Sequence, residues 1–405
     1  MQNVVVAKPY RFFPPSRGTL WPSLLLRCLP FYLRKYHGVA RVTCRGVERL
    51  RASIEAGHGI VIAPNHSRPC DPMVIAVLAG QVRRYFYTMA SWHLFMQNRF
   101  QAWLLQRGGV FSVHREGSDR TSLNHATELL AEAERMMLIF PEGVISRNND
   151  RLNYLMEGAA IMARGAARQR AATSPPGRVV IHPIAIRYFF DGDIEDAVTP
   201  VLEAIEARMA WRPQRELPLV ERALKVGSAM LALKEIEYFG EAQRGAVGER
   251  VERLVDRLLC PLEDEWAQGR HAGGVVRRVK GLRKAILAEM AGCNLSEAEQ
   301  DRREQQLADM TLAQQLAFYP AGYFEPEPTA ERILETVERF EEDTTDVARV
   351  HAPMRAVVDV GEAIEVSPEE QREADGDPVM VKVREQMKAM LAASLAEVHP
   401  SATMK

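Results

Sequence analysis

Long apolar runs are missing from this chain. No stretch reaches the ~20 apolar residues that a membrane-spanning helix needs, and "TLWPSLLLRCLPFYL" at 19–33 is broken by Pro22, Arg27 and Pro30. Cysteine is scarce: the five residues Cys28, Cys44, Cys70, Cys260 and Cys293 are odd in number, scattered and never spaced as C-x-x-C. That excludes a disulfide framework and a zinc knuckle and fits a reducing compartment. An excess of either charge is also lacking, since 52 Lys and Arg face 53 Asp and Glu. No global field therefore draws nucleic acid, and binding to anionic partners has to come from local patches. The first residues, "MQNVVVAKPYRFFPPSRGTL", do not have the basic-then-apolar order of a secretory signal.

What is present is ordinary globular composition, 47% hydrophobic and 26% charged over 405 residues, enough for one large core and an attached module. From about residue 39 to 190, short β-like runs alternate with helical periodicity. The strand candidates are "VARVTC", "GIVIAP", "RYFYTM", "GVFSVH", "MMLIFP" and "RVVIHPIAIRYF". This alternation predicts a layered α/β domain. Ser118 is placed to start one intervening helix and Gly108 to end another.

After about 194 the pattern is helical, with Ser296 and Glu299 forming a capping-box match. No fixed-period repeat stands out there. Strand character returns only in "MRAVVDVGEAIEVSP", 354–368, and a lone strand pair is unstable in water. The economical division is an N-terminal segment 1–38, a core 39–194, a helical insertion 195–350, and residues 351–405 returning a strand and a helix to the core.

The chemistry gathers at corners where apolar runs end. In "IVIAPNHSRPCDPMVIAVLA", 60–79, a buried strand and a helix flank Asn65, His66, Ser67, Arg68, Cys70 and Asp71. Ligands of α/β sheets bind at such strand ends. A loop that doubles back can bring His66 against Asp71, whose carboxylate would fix the imidazole tautomer and stabilise the imidazolium. No serine is placed as the matching nucleophile, so the hydroxyl can belong to a substrate. Asp71 before Pro72 equally has the form of a helix cap. His66, Cys70 and Asp71 lack a second cluster with ligand spacing, so no metal is expected.

A second corner, "LIFPEGVISR" at 138–147, places Glu142 and Gly143 at a strand end, where glycine permits close backbone approach. A third, "GGVFSVHR", ends at Arg115, whose fork suits phosphate. A fourth, "VVIHPIAI", holds Pro183 inside a strand and implies an edge or a bulge there.

In this order the four corners resemble the blocks of the glycerophospholipid acyltransferases, which include lysophosphatidic acid and glycerol-phosphate acyltransferases. "NHSRPCD" matches the N-H-x4-D block, and "FPEGVIS" matches F-P-E-G-T-R-S at Phe140, Pro141, Glu142, Gly143 and Ser146. "GVFSVHR" fits the G-x-x-F-x-x-R-like block at Gly109 and Arg115, with Phe111 shifted by one position, and Pro183 fits the V-P-V-like block. The resemblance implies a mixed β-sheet flanked by helices, glycerol-phosphate acyltransferase-like, with the helical region inserted. It also implies that His66, oriented by Asp71, deprotonates a hydroxyl attacking an acyl thioester. The substrate-binding residues it implies are Asn65, Arg115, Glu142, Gly143, Ser146 and Arg147. No cofactor is implied beyond acyl-CoA or acyl-carrier protein as co-substrate.

One departure concerns the acceptor: Val144 and Ile145 stand where the family has Thr-Arg, so either Arg147 or Arg164 supplies that charge or the acceptor lacks the usual phosphomonoester. The implied acceptor is a lysophospholipid or glycerol-phosphate, in phospholipid biosynthesis. The implied location is the cytoplasm, peripherally on the cytoplasmic face of an anionic membrane, with no nucleic-acid partner. Two segments could reach that surface. One is the Trp21 segment. The other is "GGVVRRVKGLRKAILAEM", with Val275, Val279, Leu282, Ile286 and Met290 on one face; core packing would use that face equally. Thioester hydrolysis and non-catalytic lipid tethering on the same scaffold are the alternative functions.

Overall fold

Residues 59–64 and 179–190 are buried along their whole length. Strands without a polar side must be covered above and below, which places them inside a sheet with helices on both faces. The computed structural model describes residues 10–114, 119–266, 274–292, 295–319, 322, 324, 328–351, 353–369 and 376–397. In chain order these form α1 (Leu20–His37), β1 (Val39–Arg45), α2 (Val47–Glu55), β2 (Gly59–Pro64), α3 (Asp71–Val82) and β3 (Phe86–Ser91). There follow α4 (His93–Met96), α5 (Arg99–Arg107), β4 (Val110–Val113), α6 (Arg120–Glu132), β5 (Met136–Leu138), α7 (Gly158–Ala171) and β6 (Val179–Phe190). Next come α8 (Ile194–Arg208), α9 (Leu219–Phe239), α10 (Val247–Glu265), α11 (Val275–Gly292), α12 (Glu297–Leu316) and α13 (Ala330–Thr345). The chain closes with β7 (Met354–Val360), β8 (Ile364–Glu365) and α14 (Pro378–Ala393).

Two compact units result, one from residues 10–192 with the described residues after 351, the other from 193–351. The first is a mixed α/β unit whose eight-stranded sheet runs β1-β7-β6-β2-β5-β3-β4, with β8 also on β6. Neighbours are parallel except where β6 meets β7 and β8. One face packs on α6, α7 and α14 through Leu129, Ala163, Val383 and Met387, which meet Val61, Met137 and Ile181. Helices α2 and α3 pack beside β7, and α1 lies on β1 and α3.

The proline in β6, whose sequence context suggested an edge or a bulge, is not at an edge. Pro183 pairs with Ala63 in the middle of the sheet. Its carbonyl accepts from Gly361 N–H at 2.8 Å, so its nitrogen faces the same side, where the chain turns from β7 to β8. No ladder bond is demanded of it there.

The α6 cap also differs from expectation. Asp119 is the N-cap and accepts from Ser122 N–H, while Ser118 lies outside the described residues. Gly108 ends α5 and Ser296 with Glu299 forms the capping box of α12.

The second unit carries a repeat that its sequence hid. Glu206, Glu235, Glu263 and Glu289 each reach an arginine 14–16 residues later, in the next helix: Arg222, Arg250, Arg278 and Arg303. The first three carboxylates are fully buried, and two also accept a loop N–H, from Gln214 and Gln243. One helix–loop–helix clamp thus recurs about every 28 residues.

The basic helix α11 belongs to this unit. Val279, Leu282 and Ile286 are buried against Leu254, Leu258 and Met310. That face is core, so it offers no apolar surface to a membrane, and Arg278 is spent on Glu263 and Asp256.

Candidate active site

β2 stops at Pro64, but its pairing with β6 continues through a side chain. Asn65 Nδ2 donates to Ile186 O at 3.0 Å, and Ile186 N–H donates to Asn65 Oδ1 at 2.7 Å. The amide thereby replaces a backbone partner and frees the chain to leave the sheet. Asn149 does the same one pleat on, bonding Tyr188 N–H and C=O at 2.7 and 2.6 Å.

His66 follows at the freed corner. Its Nδ1 lies 2.8 Å from Asp71 Oδ2, and its ring stacks on Phe140 with centroids 3.9 Å apart. A carboxylate only accepts, so Nδ1 carries the proton and Nε2 is left as the acceptor. Asp71 is fully buried at the first position of α3, ahead of Pro72. It does not turn its carboxylate on the helix amides. Oδ2 also accepts from Arg68 N–H at 2.9 Å, and Oδ1 accepts from the Tyr188 hydroxyl at 2.6 Å. The cap-like sequence therefore closes a loop that braces the histidine.

The second corner is bolted to the first. Glu142 Oε1 accepts from His66 N–H at 2.7 Å and Oε2 from Asn153 N–H at 3.2 Å. Ser146 N–H donates to His66 O at 2.7 Å. Gly143 has φ +70°, and a Cβ there would lie 1.6 Å from the Met156 methyl carbon. Glycine is favoured at this bend by the left-handed backbone, while Met156 could swing its methyl aside.

Both corners fall in one matched segment. Residues 41–187 match the model of the Acyltransferase family. These residues form an acyltransferase domain. Neither the curated proteins nor the solved structures gave a match to the chain.

Within the acyltransferase domain, Asn65, Glu142 and Ser146 are each only 1% exposed. The first two spend their side chains on backbone groups of neighbouring segments, while Ser146 Oγ bonds Asn148 and its amide ties His66 O. Their observed contacts build the corner. His66, by contrast, is part-exposed. Ser67 Oγ is buried without a partner among the described residues, so it is not presented as a nucleophile. Arg164 is paired with Asp377 in a buried ion pair, which removes it as a source of the displaced charge. Arg147 sits beside Ser146 with φ +58°, and Arg115 lies outside the described residues.

Burial pushes Glu142 up to about 7, against the pull of the His66 and Asn153 amides. Burial likewise pushes the Cys70 thiol up to about 12, keeping it an inert neighbour. Among the described residues no cluster of histidine, cysteine and carboxylate is arranged to hold a metal ion. Tyr188 and Asn149 carried no signal in the sequence: Tyr188 reads as one more residue of an apolar strand, 117 positions from Asp71.

Proposed function

We propose that the acyltransferase domain moves a fatty acyl group from acyl-CoA or an acyl-carrier protein to a hydroxyl of a lysophospholipid or glycerol-phosphate. The observation that carries this reading is the His66–Asp71 pair, with Nδ1 held at 2.8 Å and Nε2 left to accept. Nε2 takes the hydroxyl proton as the oxygen attacks the thioester carbonyl. The carbon–sulfur bond then breaks, the thiol leaves with a proton, and an ester remains. Base assistance of this kind contributes about 10²–10⁴ in rate. The thioester carries the activation, so the reading needs no resident cofactor.

Arg147 is the proposed cation for the acceptor's anionic group. It follows Ser146, whose amide is tied to His66 O at 2.7 Å, so its backbone leaves from the edge of the His66 loop. Arg115 is proposed as a second phosphate contact on the family resemblance.

A bilayer is the proposed source of the acceptor. Among the described residues no helix is long and apolar enough to cross a membrane. One stripe of α1, however, shows Leu20, Leu24 and Phe31 to solvent, with Phe31 67% exposed. Trp21 meets Trp103 of α5 edge to face at 4.7 Å, and Phe100, 69% exposed, stacks on Trp103. Lys35 lies over Phe31 and Arg107 over Trp103. Aromatic rings with basic companions suit an anionic headgroup layer.

The deciding experiment incubates the purified protein with acyl-CoA and a panel of lysolipids while free thiol and ester are both measured. Thiol release that requires a lysolipid and equals ester formed is the expected result. Thiol release indifferent to the acceptor favours thioester hydrolysis and defeats transfer.

A further inference from the structure

The geometry points to Tyr188 as a positioning residue for acyl transfer, acting through Asp71 on His66. This rests on the reading of His66 as the base. Tyr188 is 1% exposed and donates its hydroxyl to Asp71 Oδ1 at 2.6 Å, opposite the oxygen that holds His66. The other contacts of the ring and hydroxyl are Cys70 Sγ at 3.3 Å and the Arg68 guanidinium 5.4 Å above the ring. Asn149 clamps both backbone groups of Tyr188. The phenol is thus aimed by the strand and not by the loop that it serves.

Two consequences follow from the bond. A carboxylate with no exposure needs donors to stay charged, and Tyr188 supplies one of the three that Asp71 has among the described residues. A donor on Oδ1 also drains negative charge away from Oδ2. Tyr188 therefore sets how strongly the carboxylate favours the protonated ring, besides fixing its orientation. Burial and Asp71 hold the phenol far above its ordinary range, so it stays a donor throughout the working pH.

Tyr188→Phe removes the hydroxyl and little volume. Steady-state acyl transfer is measured against pH for the parent, Tyr188→Phe and His66→Ala, with thermal unfolding of each. In Tyr188→Phe, kcat is expected to fall about tenfold or more with KM within about twofold. The acid limb of its pH profile is expected to move to higher pH, because Oδ2 regains charge. Parent-like kcat and acid limb in Tyr188→Phe, beside an inactive His66→Ala, overturn the inference alone. A reduced kcat with an unmoved limb and a lowered unfolding midpoint also overturns it, as that is structural damage. An active His66→Ala overturns the reading of the base on which the inference rests. Should Tyr188→Phe not fold, 3-fluorotyrosine at 188 keeps the hydroxyl and makes it a stronger donor. The limb must then move to lower pH, and an unmoved limb overturns the inference.

Discussion

At the scale of single residues, the corner is an arrangement in which buried polar side chains brace the backbone around one part-exposed histidine. Asn65, Glu142 and Ser146 bond within the protein, and the His66 ring is held through Nδ1, which turns Nε2 to chemistry. Glu142 shows what this costs. Glutamine at this position has one end that cannot accept, so either the His66 or the Asn153 amide loses its partner. Leaving a buried donor unsatisfied costs about 1–3 kcal/mol, and the His66 loop loosens with it. Glu142→Gln is therefore expected to lower both the unfolding midpoint and kcat; a stable variant with full turnover would show that the tie does not position the histidine. Gly143→Ala is also expected to lower the midpoint, since it puts a side chain on a left-handed backbone and displaces the Met156 methyl. Differential scanning calorimetry measures both.

At the scale of elements, the strands were legible because burial on both faces forces apolar runs, as in "GIVIAP" and "RVVIHPIAIRYF". The His66 corner was legible because its partners lie five residues apart. Tyr188 and Asn149 were not, because their role comes from strand order, which brings β6 beside β2. The repeat of the helical unit was hidden for a different reason. Its constant features are one glutamate and one arginine per junction, among many solvated charges of both kinds, while the apolar residues between them vary. The face of α11 was ambiguous for the same reason, since periodicity does not say whether lipid or protein covers a stripe. The clamps carry a prediction of their own. Arg250→Ala strands the buried Glu235 and is expected to cost about 3–5 kcal/mol in denaturant unfolding. Replacing both partners by apolar residues of similar volume should recover much of that loss; a single variant as stable as the parent would show that the clamp does not hold the junction.

At the scale of the whole molecule, pH acts on the sheet through a histidine outside the site. His182 in β6 donates from Nδ1 to Gly361 O at 3.0 Å, and its Nε2 takes the Ser53 hydroxyl at 2.9 Å. Burial holds it below the ordinary imidazole value. An unfolded chain takes up a proton there near pH ~6.5 while the folded one resists, so stability is present above that pH and falls as pH drops through it. Glu142, raised by burial, works the opposite way over the range up to about 7. As pH drops from about 7.5 to 5.5, the denaturant midpoint of a folded His182→Gln variant should therefore fall less, or rise more, than the parent's, because the opposite trend of Glu142 is left uncovered; equal slopes would remove His182 as the cause. Surface chemistry is the other property at this scale. Phe31→Glu and Phe100→Glu should each weaken flotation with anionic vesicles, and unchanged flotation would move the proposed membrane contact elsewhere. The most direct measurement is ester formation from acyl-CoA and lysophosphatidic acid by the parent and by folded His66→Ala. A loss of about 10²-fold or more in the variant is the expected result, and turnover equal to the parent's would contradict a base at His66.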